Sequence, residues 1–80
     1  GSPEKYLIKT QEELLRRHAE ILEDLIRKVE RQVDLRRKVD ERDEDLKREL
    51  ERSLRELERL VRESSRLVEE IRELSKEIKR

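Results

Sequence analysis

The sequence contains no cysteine, methionine, tryptophan or phenylalanine, and its only glycine and proline are Gly1 and Pro3. Without cysteine, neither a disulfide framework nor a thiolate metal site can form. Without glycine or proline beyond residue 3, no residue in the interior of the chain is a strong helix breaker. The longest apolar runs are as short as Tyr6-Leu7-Ile8, so we predict a soluble chain with no targeting or membrane-spanning segment.

An excess of charge of either sign is also missing, because 22 Lys and Arg residues balance 22 Asp and Glu residues. This neutrality removes the electrostatic attraction expected of a protein that binds nucleic acid or an anionic membrane. It also argues against disorder, which usually combines low hydrophobicity with high net charge. In 80 residues, 55% charged and 31% hydrophobic content is typical of long helices and coiled coils, with little material for a self-contained core.

Apolar residues recur at helical spacing in both halves of the chain, and no stretch alternates with period two, so we predict an all-α protein. In the first half, residues spaced by seven or its multiples form four rows: Leu7, Leu14, Ile21, Leu35; Ile8, Leu15, Leu22, Val29; Leu25, Val39; and Ala19, Ile26, Val33. In the second half they form three rows: Leu46, Leu60, Leu67, Leu74; Leu50, Leu57, Ile71, Ile78; and Leu54, Val61, Val68.

The centre of the chain predicts a turn. Arg36-Arg37-Lys38 suits the C-terminus of a helix, and the acids between Asp40 and Asp45 suit the N-terminus of the next. Asp40 or Asp43 is expected to cap the second helix.

These signals predict one domain over residues 1–80. Helix one covers about residues 3–39, the turn about 40–43 and helix two about 44–79. The start Ser2-Pro3-Glu4 combines a hydroxyl cap, a proline at the first helical position and an acid. Gly1-Ser2, with no initiator Met, is interpreted as the remnant of a removed tag.

The alternative is a single continuous helix of about 75 residues, near 110 Å long. One apolar row with a seven-residue spacing supports it, because that row runs from Leu25 and Val39 to Leu46 and beyond without a phase break at the centre. Six polar residues that interrupt the apolar rows favour the hairpin instead: Gln11, His18, Gln32, Ser53, Ser64 and Ser75. Folding the chain back at about residue 42 puts His18 near Ser64 and Gln32 level with Ser53. It also puts Gln11 near Ser75. Buried polar groups need partners, which this mirrored arrangement supplies.

The apolar stripe is too wide for one neighbouring helix, since each helix uses at least three positions in seven and a two-helix pair needs two. We therefore predict an antiparallel helical hairpin that assembles with another hairpin into a four-helix bundle. A trimer of hairpins is a less economical alternative. The apolar residues expected in the interface are Leu15, Leu22, Leu25, Ile26, Val29, Leu50, Leu57, Leu60, Leu67 and Ile71.

No arrangement of residues in the sequence predicts a catalytic site or a metal site. His18 is the only histidine, and its helical neighbours are leucines and isoleucine, so no second metal ligand shares its face. A hydrogen bond to Ser64, Ser65 or a partner residue is the better interpretation. The serines lack an oxyanion-hole glycine or a nucleophile elbow. We predict no enzyme activity, no cofactor, no metal, and no small-molecule or nucleic-acid ligand.

The chain resembles computationally designed helical hairpins that assemble into homo- or heterodimeric four-helix bundles with buried hydrogen-bond networks. The likeness covers the chain after Gly1-Ser2. It rests on the Ser2-Pro3-Glu4 start, the Glu, Arg and Leu palette, the acidic turn and the paired polar residues. It implies a synthetic origin, a binding role without enzyme activity, and often a different partner chain of the same architecture. From the residues themselves, we expect the six polar side chains to specify register and partner, because a wrong partner would leave them unsatisfied. A heterodimer is slightly preferred to a homodimer, and an arm of a natural coiled-coil assembly is the remaining alternative.

Overall fold

A computed structural model describes residues 1–38, 40 and 42–79 as two long helices that pack against each other over their length. Helix α1 spans Ser2–Lys38 and helix α2 spans Glu44–Lys79. The Cα atoms extend over 63 × 15 × 14 Å, so the molecule is a rod whose width is that of two packed helices. The prediction of an all-α antiparallel hairpin is confirmed, and the single continuous helix is excluded.

Helix α1 begins at Ser2, where the Lys5 backbone N–H donates to the Gly1 carbonyl at 3.1 Å. Gly1 therefore occupies the capping position expected of Ser2. The last turn of α1 carries Arg36, Arg37 and Lys38, whose positive charge opposes the negative end of the helix dipole. The predicted last residue of this helix, Val39, lies outside the described residues.

The turn is organised by two aspartates. The carbonyl of Asp40 accepts the N–H of Asp43 at 2.9 Å, and its carboxylate accepts the N–H of Arg42 at 3.0 Å. The carboxylate of Asp43 accepts the N–H of Leu46 at 3.1 Å, as an N-cap side chain does at the third helical position. Of the two predicted caps, Asp43 is therefore the one that caps α2.

The two helices meet along an inner interface in which Leu35, Leu60 and Leu67 are the buried apolar residues. Most other apolar residues that face the opposite helix are only half-buried, because a hairpin alone covers one side of each helix. No large side chain of the described residues is fully buried. The hairpin thus has a thin line of buried leucines where a bundle would have a core.

Candidate association face and polar layers

One long side of the hairpin exposes a continuous apolar surface, which we call the open face. Its side chains are 38–59% exposed although all are large and apolar. They come from adjacent heptad rows of α1 and from one row of α2: Ile8, Leu15, Leu22, Ile26, Val29, Val33, Leu54 and Val61. Contiguous exposed apolar patches are a feature of association sites, which makes the open face the candidate site of this chain.

The opposite long side carries charged pairs that join the two helices, and we call it the ion-paired edge. Lys28 Nζ lies 2.6 Å from Glu56 Oε2, and Arg31 pairs with Glu49. The hydrogen bond from Lys28, together with its positive charge, lowers the pKa of the Glu56 carboxyl below its ordinary value of 4.5. On this side, charged side chains flank the inner interface. On the opposite side, the open face, Leu, Ile and Val side chains take that place.

Two of the predicted polar pairs are hydrogen-bonded inside the hairpin. Gln11 Nε2 donates to Ser75 Oγ at 2.5 Å, and His18 Nε2 lies 2.7 Å from Ser64 Oγ. All four side chains are half-buried, so the remaining surface of each layer reaches toward solvent. The structure thus brings together four of the six predicted polar residues at the levels that the mirrored sequence pattern indicated.

The third polar layer differs. Gln32 and Ser53 are more deeply buried, at 7% and 6% exposure. Within the described residues, neither the Gln32 amide atoms nor Ser53 Oγ has a hydrogen-bond partner, and the two side chains do not bond each other. The ion pairs of Lys28 with Glu56 and of Arg31 with Glu49 cross the hairpin close to this layer. Buried polar atoms without partners each cost about 1–3 kcal/mol, so this layer destabilises the lone hairpin.

The predicted apolar interface residues divide into two sets. Leu15, Leu22, Ile26 and Val29 lie on the open face. The others line the inner interface, where Leu60 and Leu67 are buried and the rest are half-buried: Leu25, Leu50, Leu57 and Ile71.

Four residues of the open face were not among the predicted interface residues: Ile8, Val33, Leu54 and Val61. The heptad rows contained all four. Which rows point away from the opposite helix depends on the cross-helix register, which the rows alone do not give.

No group of three or more His, Asp and Glu side chains is placed to hold a metal ion anywhere in residues 1–38, 40 and 42–79. Neither α1 nor α2 contains an apolar stretch that could cross a membrane. Comparison with protein-family models, with curated proteins and with solved structures finds no match.

Proposed function

We propose that this chain is a designed association module whose open face is covered by another helical hairpin, giving a four-helix bundle. The function is binding, with no catalysis, cofactor or nucleic acid. The single observation that carries the proposal is the difference between the two long sides. The edge of the inner interface is occupied by charged pairs on one side, and by eight exposed apolar side chains on the other.

The size of the open face supports a hairpin as the partner. The whole long side of the hairpin, 63 by 15 Å between its outermost Cα atoms, has an area on the order of 900 Å², enough to contain the roughly 800 Å² that each partner buries in a stable interface. A single helix would cover only part of this width. A second hairpin of equal length covers the rows of both helices at once, with helices crossing near 20°.

The polar layers support specificity. Gln11, His18, Ser64 and Ser75 are half-buried and border the open face, so a docked partner would remove their remaining contact with water. A partner that cannot bond to them, or that packs out of register, would leave them unsatisfied at a cost in free energy. These layers stabilise the hairpin less than leucine would, and in exchange they restrict what the open face accepts.

Native mass spectrometry of the chain alone, with circular dichroism at the same concentrations, tests the proposal. A helical dimer supports it, with the partner a second copy. A heterogeneous set of larger species also supports it, because an open face without its own partner would associate unspecifically. A chain that is fully helical and monomeric at all concentrations would contradict the proposal, because an uncovered open face would then be stable in water.

A further inference from the structure

Two rows of charged residues border the open face, and we call them the edge rows. Every member except Lys9 and Lys79 lies three or four residues from an apolar side chain of the neighbouring heptad row, and therefore flanks that row on the outer side. Lys9 and Lys79 continue the same rows toward the free ends. All members are exposed. The α1 edge row contains Lys9, Arg16, Glu23 and Glu30, and the α2 edge row contains Glu51, Glu58, Ser65, Arg72 and Lys79.

The charges of both edge rows change sign along the hairpin. Near the free ends, the edges are basic, with Lys9 and Arg16 on α1 and two further cations on α2. Toward the turn, both edges are acidic, with two glutamates on each helix. Among the described residues, Arg72 is the only edge charge with an ion pair inside the chain, at 3.7 Å from Glu69. The two edge rows therefore have a basic half and an acidic half, although the apolar rows between them also hold Glu12 near the free ends and Lys47 near the turn.

The sign change occurs at one level on both helices. In α1, the midpoint between Lys9 and Glu30, and between Arg16 and Glu23, falls between residues 19 and 20. In α2, the midpoint between Glu51 and Lys79 falls on Ser65. The midpoint between Glu58 and Arg72 falls on the same residue. These positions lie side by side, because His18 contacts Ser64 across the hairpin. A two-fold axis through this level would relate every basic edge residue to an acidic one.

We propose that the occupant of the open face is a second copy of this chain, docked antiparallel so that the two turns lie at opposite ends of the bundle. The inference rests on the proposed function and names its partner and orientation. Such a two-fold places α1 beside α1 and α2 beside α2 of the second copy. The ion pairs it creates, each formed twice, are Lys9 with Glu30, Arg16 with Glu23, Glu51 with Lys79, and Glu58 with Arg72.

The parallel arrangement of two copies gives the opposite result. With both turns at one end, α1 lies beside α2 of the second copy at the same level. Arg16 then faces the basic end of the α2 edge row, and Glu23 faces Glu58. Like charges would meet along both edges, and each such contact is unfavourable by about as much as a pair is favourable. Charge therefore selects the antiparallel orientation for a homodimer.

Two further features agree with the antiparallel two-fold. Ala19 is the smallest residue of its apolar row and lies at the level of the axis, where two α1 helices would approach each other. The same axis brings Gln11 and Ser75 of the second copy to within about one helical turn of Gln32 and Ser53. The layer that lacks partners in the lone hairpin would then lie next to a polar layer of the other copy.

Disulfide trapping tests the orientation, since the sequence has no cysteine to interfere. The variant Ala19→Cys places one thiol per chain at the proposed axis, within disulfide reach of its symmetry mate. The matched control Ile26→Cys lies one heptad away in the same row, so its two thiols are separated by about 20 Å along the bundle. We expect a covalent dimer from Ala19→Cys at several times the yield of Ile26→Cys under mild oxidation.

The outcomes separate the two proposals when native mass spectrometry is run on the same samples. A noncovalent dimer in which Ala19→Cys cross-links no better than Ile26→Cys overturns the antiparallel two-fold and leaves the proposed function standing. Heterogeneous species with no dimer overturn the second copy as partner, and favour a different hairpin with the edge charges reversed. A folded monomer overturns both proposals.

A charge exchange tests the edge pairs themselves. Arg16→Glu puts like charges at two symmetry-related contacts, and we expect the dimer Kd to rise about tenfold. Adding Glu23→Arg to the same chain restores opposite charges across the two-fold and should return the Kd to near the original value. A double variant as weak as Arg16→Glu would contradict the pairing, because only cross-chain contact predicts the rescue.

Discussion

The two long sides of this hairpin are built by the same two helices and lead to opposite outcomes. On the ion-paired edge, Lys28 and Arg31 reach across to acidic residues of α2, so the inner interface ends in charged groups that water can solvate. On the open face, the equivalent flank carries leucine, isoleucine and valine. The hairpin therefore borders its inner interface with charged groups on one side and leaves apolar side chains exposed on the other. Association is expected on the side with the exposed apolar side chains.

The largest expected effect comes from making the open face polar. Leu22→Gln together with Val61→Gln removes two apolar side chains per chain from the proposed interface, each worth about 1.5–3 kcal/mol when buried. We expect dimerisation to weaken at least about hundredfold, measured by sedimentation equilibrium. The matched control, Arg27→Gln with Arg62→Gln on the outer surface, should leave the dimer unchanged. Equal effects from both variants would show that the open face is not the interface.

A second comparison contrasts polar layers. Gln32→Leu removes two buried amide atoms that have no partner in the hairpin, so the free energy of unfolding should increase by about 1–3 kcal/mol. Gln11→Leu instead removes the donor to Ser75, whose half-exposed hydroxyl can turn to water, and should change stability less. Chemical denaturation of both variants measures the difference. The prediction applies to the monomeric hairpin, at protein concentrations below the dimer Kd, and destabilisation by Gln32→Leu under those conditions would contradict it.

The turn gives a smaller effect that does not depend on either side. Asp43→Ala removes the carboxylate that accepts the Leu46 N–H, and should cost about 1 kcal/mol of unfolding free energy. Asp45→Ala is the control, because Asp45 lies in the same acidic segment and makes only an exposed pair with Arg48. If the two variants were equally stable, the cap would be contributing no more than a surface charge.

The smallest effect belongs to the ion-paired edge. Because Lys28 lowers the pKa of Glu56, the folded state favours the ionised carboxylate. The resulting stabilisation is present above pH 4.5, the ordinary value, and is lost as the pH falls through the lowered folded-state pKa. Glu56→Gln should therefore remove a small part of the acid dependence of the melting temperature, measured between pH 3 and pH 6. An unchanged acid dependence would mean that the pair contributes nothing to stability.

Much of the fold followed from the sequence because its signals are local. Heptad rows predict helices, and the charge reversal between Lys38 and Asp40 predicts where the chain turns. The mirrored positions of Gln11, His18, Ser64 and Ser75 indicated the register, and two hydrogen bonds occur at those levels.

The sequence did not predict which apolar residues are buried and which lie on the open face. That distinction depends on how each helix is rotated against the other. Leu60 and Val61 are neighbours of similar character, yet one is buried and the other is 50% exposed. Only the rotation of α2 against α1 distinguishes them. The charge pattern of the edge rows also depends on register. The net charge is zero and does not report this pattern, which is recognised only when residues at the same height on the two helices are compared.

The rate of thiol modification on the open face tests the central claim most directly. Leu22→Cys puts a single thiol on the open face, and Arg27→Cys puts one on the outer surface of the same helix. If another hairpin covers the open face, Leu22→Cys should react at least about tenfold more slowly at high protein concentration, and this protection should disappear on dilution. Equal rates for both variants in the folded protein, at every concentration, would show that the open face is uncovered and would contradict the account.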